Sequence, residues 1–225
     1  MVCGRIIGGY GEGVCPECKK NLPYISSERC EICSKAIANS SGICGDCRKR
    51  KHVFIQGFGL FTYDKTLEKI VAGVKYSKRW KHLEWLTKEL AYHVSLYMKR
   101  WKPQLVVPVP LHNSRLKKRG FNQAGIIAKI IASEYGIAFE EKLLARKRKT
   151  KPQKQLSDDE RFANLKGAFC LNESTFRKYK GLKRVIIVDD IYTTGSTIDT
   201  CAEMLRQAGV EQIWFITLCV GDAYS

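Results

Sequence analysis

Residues 185–197 read VIIVDDIYTTGST. Four consecutive β-branched apolar residues predict a strand buried on both faces, as in a parallel sheet covered by helices. Asp189 and Asp190 then emerge at the strand tip, where ligands of α/β sheets bind. The loop that follows leads into a predicted helix over 197–209, TIDTCAEMLRQAG. Ile198, Cys201, Leu205 and Ala208 form its apolar stripe, and Gly209 is its stop signal. The unpaired amides of the first turn, the hydroxyls of Thr193, Thr194, Ser196 and Thr197, and the positive helix end suit a phosphate monoester. Gly195 allows close backbone approach. The loop lacks the lysine of a nucleoside-triphosphate P-loop. Two carboxylates beside it would repel a second phosphate, but would accept hydrogen bonds from a vicinal diol and attract Mg²⁺. The ligand implied is a sugar phosphate, its phosphate on the loop and its diol on the aspartates. An acidic N-cap would account for one aspartate, not for two followed by TTGST.

The chain around this stretch alternates strand and helix patterns. GFGLFTY (57–63), LVVPVP (105–110) and IWFITLCV (213–220) read as strands, and 64–76, 82–100 and 122–135 as helices. Leu67, Ile70, Val71 and Val74 mark the apolar face of the first helix; Ile126, Ile127, Ile130 and Ile131 mark that of the third. The fold class predicted is an α/β parallel sheet over residues 53–225.

Residues 1–52 differ in kind. Of the ten cysteines, six form Cys-x-x-Cys pairs here: Cys15/Cys18, Cys30/Cys33 and Cys44/Cys47. Each such turn aims two thiolates at one metal, and two turns complete a tetrahedral zinc site. The last two pairs are ten residues apart, which suits a zinc ribbon held by Cys30, Cys33, Cys44 and Cys47. A second site from Cys3, Cys15 and Cys18 is incomplete, because Ile6 stands where a fourth cysteine would pair with Cys3. With few large apolar residues, the head needs its metal to hold a fold. RKRKH (48–52) reads as a solvated, basic hinge. Cys170, Cys201 and Cys219 read as small core residues.

The 225 residues carry a net charge of +17, which favours anionic partners. There is no long apolar run to insert in a membrane and no apolar leader at the start of the sequence, so a cytoplasmic location is expected. Arg115, Lys117, Lys118 and Arg119 follow a strand end and offer positive charge to a pyrophosphate. Residues 142–154, KLLARKRKTKPQK, hold seven bases and no acid. They read as a mobile basic loop, with Arg146, that closes over the same group. YSKRWKHLEW (76–85) interleaves aromatic and basic residues as single-strand binders do, although Trp80 and Trp85 serve equally as core residues.

VIIVDDIYTTGST resembles the phosphoribosyl-pyrophosphate motif of type I phosphoribosyltransferases. The resemblance implies that Asp189 and Asp190 hold the ribose hydroxyls, with Mg²⁺, and that Thr193, Thr194, Gly195, Ser196 and Thr197 hold the 5′-phosphate. VVPVPLHNSRLKKRGFNQA (106–124) and RKRKTKPQKQLSDDERFANLKGAF (146–169) are similar to segments of the ComF competence proteins, which also place a zinc-ribbon head before a phosphoribosyltransferase-like domain. That family implies a cytosolic role in natural transformation, with single-stranded DNA and the uptake machinery as partners. Its heads usually open with a complete Cys-x-x-Cys pair, from which this chain departs at Ile6. In the purine-salvage branch an aspartate of the loop acts as base; Thr193 occupies that position here. Purine salvage is therefore disfavoured, transfer to another acceptor stays open, and no catalytic residue is assigned.

Overall fold

The computed structural model describes residues 15–26, 28–37, 42–77, 80–148, 150 and 158–221. Two short helices come first, α1 (Pro16–Lys20) and α2 (Gly45–Lys49), then β1 (Gln56–Thr62), α3 (Lys65–Ser77) and α4 (Trp80–Trp101). β2 (Leu105–Pro108) leads through α5 (Asn113–Arg119) and α6 (Gln123–Tyr135) to β3 (Ala138–Phe139). A side ribbon of β4 (Leu144–Arg146) and β5 (Phe169–Leu171) flanks α7 (Asp158–Leu165), and α8 (Glu173–Phe176) follows. The chain closes with β6 (Arg184–Tyr192), α9 (Ser196–Gln207) and β7 (Gln212–Val220).

Five strands form one sheet in the order β1-β7-β6-β2-β3, with every pairing parallel. Parallel strands need both faces covered, and β6 shows how. Val185 and Ile187 enter a core that holds α9 and the side ribbon; Ile186 and Val188 enter the opposite core, with α4 and α6. All four are fully buried, as the run VIIV predicts.

This topology creates the crevice. The connection after β6 runs through α9 on one face to β7, while that after β2 runs through α6 on the other face to β3. β6 and β2 are neighbours whose connections leave in opposite directions, which is a topological switch point. β2 ends at Pro108, paired with Val188, but β6 continues through Asp189 to Tyr192 along β7. The aspartates therefore lie past the last residue pair that β6 makes with β2.

The head is not separate from this body. Ile25 N–H donates to Leu60 O at 2.9 Å, Gly57 N–H to Ile32 O at 2.7 Å, and Thr62 N–H to Pro23 O at 2.8 Å. The Arg29 guanidinium donates to Ile25 O and Gly59 O at 2.7 and 3.1 Å and lies over the Phe58 ring. Ile25 and the four ribbon cysteines belong to the same buried cluster as Val185, Ile187 and Phe215. The head thus draws on the body's core as well as on any metal, beyond what its own few apolar residues suggest. Cys201 and Cys219 are buried core residues as expected, with burial pushing the Cys201 thiol up; Cys170 is half-buried.

Candidate functional site

The acidic pair is half-buried at the crevice, and the Asp190 amide donates to Asp189 Oδ1 at 2.9 Å. The strand runs two residues further than the sequence suggests, to Tyr192, because β7 continues to pair with it. Thr193 is exposed, and Gly195 is the N-cap of α9 at φ 82°. A Cβ on Gly195 would stand 2.7 Å from Tyr192 Oη and 3.1 Å from His52 Cε1, so both backbone angle and space require glycine. Ser196 is buried, with its hydroxyl 3.2 Å from that of Thr194; Thr197 is half-buried. The five loop residues thus lead from the end of β6, two residues past the aspartates, into the first turn of a twelve-residue helix.

Arg146 lies in β4, not in a free loop. Its neighbours Leu143 and Leu144 are buried in the core, so this part of 142–154 is a packed strand and not the mobile loop expected from its charge. Residues 149 and 151–157 of that run lie outside the described residues. Burial lowers the pKa of the Arg146 guanidinium, Arg115 lowers it further, and Asp189 opposes both. Arg115 of α5 and Asp189 of β6 thus both act on Arg146 of β4, with opposite sign. Arg146 stacks over Phe169 and donates to the Thr150 hydroxyl, while its buried Nε has no hydrogen-bond partner among the described residues. A half-buried guanidinium whose buried N–H has no partner among the described residues suits an anion.

Arg115 and Arg119 stand four apart on α5, hence on one helix face, and both are half-buried. Among the described residues no contact ties Arg119 to the acidic pair. Asn122, from the RGFNQA segment, donates its side-chain amide to Val109 O at 3.0 Å and so holds the loop after β2.

The ligand atoms of Cys30, Cys33, Cys44 and Cys47 lie within 4.8 Å of one another, and all four residues are buried. Cys33 and Cys44 sulfurs are 3.6 Å apart. A tetrahedral site with Zn–S near 2.3 Å needs sulfurs separated by about 3.8 Å, so the donor set fits zinc. Hydrogen bonding from the other three cysteines, with the Cys44 amide at 3.3 Å, holds the Cys30 thiol far below its usual pKa. Cys15 and Cys18 stand outside this cluster; Cys15 caps α1, its sulfur 3.4 Å from the Cys18 amide. Cys3 lies outside the described residues.

Sequence reasoning missed His52, which it placed in a solvated hinge. The ring is buried between Cys47 Sγ, 3.5 Å from Nε2, and Asp199 Oδ2, 2.7 Å from Nδ1. Nothing in RKRKH distinguishes this histidine from its solvated neighbours, since its partner is 147 residues away. Trp85 packs against the core with Lys19 over its ring, so it is no open stacking platform; the Trp80 side chain lies outside the described residues.

Comparison with known proteins agrees with both halves. Residues 78–224 match the phosphoribosyl transferase domain family, and residues 1–48 match the double zinc ribbon domain. DNA utilization protein YhgH of Salmonella typhimurium is 30% identical over 92% of this chain and 90% of that one. The chain belongs to the ComF family of phosphoribosyl transferase domain proteins. Within the family, Competence protein F of Haemophilus influenzae is 29% identical over 89% of this chain and 87% of that one. Competence protein ComFC of Streptococcus pneumoniae is 26% identical over 89% and 84%. A purine phosphoribosyltransferase from Pyrococcus horikoshii Ot3 aligns at TM-score 0.39 and 17% identity, covering 60% of this chain and 73% of that one, which is too distant to add to the family match. No described helix is long and apolar enough to cross a membrane.

Proposed function

We propose that the crevice between β2 and β6 binds phosphoribosyl pyrophosphate with Mg²⁺, and that the protein serves DNA uptake or utilization in the cytoplasm. The observation that carries the ligand reading is the placement of Asp189 and Asp190 on β6 past its last pairing with β2, just before the loop capped by Gly195 at φ 82°. The loop amides and the hydroxyls of Thr193, Thr194, Ser196 and Thr197 take the 5′-phosphate. Asp189 and Asp190 accept from the ribose diol; these oxygens are also the donors for Mg²⁺, whose charge would help neutralise the pyrophosphate. Arg146 and Arg115, with Arg119, meet the pyrophosphate.

The biological role rests on the names borne by the relatives, competence and DNA utilization proteins. Single-stranded DNA and the uptake machinery are the partners this role implies. Thr193 offers no base, so the reading stops at binding. Transfer to an acceptor is the alternative, tested by acceptor-stimulated pyrophosphate release. Calorimetry of the full chain with Mg²⁺ tests the main reading. Binding is expected in the wild type and lost in Asp189→Asn/Asp190→Asn; unchanged affinity in the double variant would sink the assignment.

A further inference from the structure

We infer that the ribbon metal centre and the phosphate loop are energetically coupled through His52 and Asp199, two positioning residues that join Cys47 to the first turn of α9. This inference rests on the proposed phosphate reading of that loop.

The chain of contacts is short and buried. The His52 side chain is 2% exposed and that of Asp199 is 9% exposed. His52 Nε2 faces Cys47 Sγ at 3.5 Å, and Nδ1 donates to Asp199 Oδ2 at 2.7 Å. The other carboxylate oxygen accepts the Val53 amide at 2.9 Å, fixing the backbone next to the histidine. The Asp199 amide in turn donates to Gly195 O at 2.7 Å, so the same residue closes the first turn of the helix. The imidazole stacks on Phe54 with centroids 4.5 Å apart, and its Cε1 lies where a side chain on residue 195 would be.

Each contact has a consequence. Partners that hold a metal ligand from behind typically change metal affinity by 10–100-fold when removed. Here the partner's far side is the N-terminal turn of the candidate phosphate site. With the ring wedged between Phe54 and Gly195, a shift of Cys47 on metal loss displaces His52, and Asp199 moves with it or loses its bond. Asp199 cannot move without disturbing the carbonyl of Gly195, hence the amides proposed to hold the phosphate. Coupling between two binding events is reciprocal: zinc tightens the loop's grip on phosphate, and phosphate tightens the hold on zinc by the same free energy.

The test uses the full-length, zinc-loaded chain. Partition of zinc between the protein and 4-(2-pyridylazo)resorcinol is read by absorbance at equilibrium, with and without saturating phosphoribosyl pyrophosphate and Mg²⁺, and again with inorganic phosphate. The readout is the ratio of apparent zinc dissociation constants without and with ligand, which is internal to each variant. In wild type the ratio is expected to be about 5 or more. In His52→Ala zinc is held more weakly and the ratio falls to 1. Asp199→Asn, which keeps an acceptor for the Val53 amide, serves if His52→Ala fails to fold, and its ratio falls below that of wild type. Lys35→Ala, which breaks the Lys35–Asp46 ion pair of the ribbon off this route, changes the zinc dissociation constant but keeps the wild-type ratio. A wild-type ratio of 1 with calorimetrically demonstrated ligand binding overturns the coupling alone. An undiminished ratio in both His52→Ala and Asp199→Asn overturns the assigned route. Absence of binding of either ligand overturns the phosphate reading and the coupling together.

Discussion

Replacing Gly195 by alanine should cost more than replacing any glycine that merely adopts a left-handed angle. Gly195 sits at φ 82°, a region that costs an L-residue about 1–2 kcal/mol. Its new methyl would also meet Tyr192 Oη at 2.7 Å, His52 Cε1 at 3.1 Å and Tyr192 Cε2 at 3.2 Å. Tyr192 cannot retreat, because its ring is stacked on Phe215 with centroids 4.7 Å apart and planes within 4°. Overpacking of this kind costs a further ~1–3 kcal/mol. Gly209 provides the comparison: its φ is 94°, but a Cβ there meets nothing within 4 Å. The midpoints are about 3.5 kcal/mol for Gly195→Ala and about 1.5 kcal/mol for Gly209→Ala. At about 2–4 °C per kcal/mol for a chain of this size, thermal unfolding midpoints should fall by roughly 10 °C and roughly 4 °C. Circular dichroism melts of the zinc-loaded proteins measure both. Equal losses would refute the close packing behind the phosphate loop.

Three further outcomes are expected. Arg146→Met should weaken phosphoribosyl pyrophosphate binding by roughly tenfold or more, the worth of a charge-assisted hydrogen bond, while leaving the melting midpoint nearly unchanged. A collapsed midpoint with intact affinity would make Arg146 structural. Cys30→Ser/Cys44→Ser should remove one zinc by elemental analysis and destabilise the body as well as the head, since these sulfurs lie in the shared core; a body that melts as before would contradict that continuity. Glu89 experiences desolvation, which raises its pKa, but hydrogen bonds from Tyr24 and Lys19 overcome it and leave the value lowered. A depressed carboxylate contributes stability above its unfolded pKa, near 4.3, and loses it as pH falls through the folded value. Melts from pH 3 to 6 should therefore show Glu89→Gln less stable than wild type at pH 6 and converging with it at pH 3; a constant gap would refute the linkage.

The sheet and its ligand end were legible because they rest on local patterns. VIIV states burial on both faces, Gly209 stands after its helix at φ 94° as the stop signal requires, and DD-IYTTGST is one uninterrupted strand-loop-helix. The four ribbon cysteines followed from spacing alone, since two short turns suffice to place four sulfurs. What escaped were relations across long separations. Arg146 looked like part of a free basic loop because its strand partner, Phe169, is 23 residues on. His52 looked solvated because neither the ring of Phe54 beneath it nor the carboxylate of Asp199 facing it can be inferred from a run of lysines and arginines.

The strand order has a consequence for how the protein is made. Among the described residues β1 lies at the sheet's edge beside β7, which ends at Val220. During synthesis the first strand therefore waits for the last, through the whole of the intervening chain, residues 63–211. Such long-range closure is slow and leaves apolar edges open meanwhile. The head hydrogen-bonds to β1 through Ile25, Ile32 and Pro23, and so covers that strand from the N-terminal side. A metal-loaded ribbon formed early on the ribosome would act as a built-in chaperone for β1, shielding it until its permanent partner emerges.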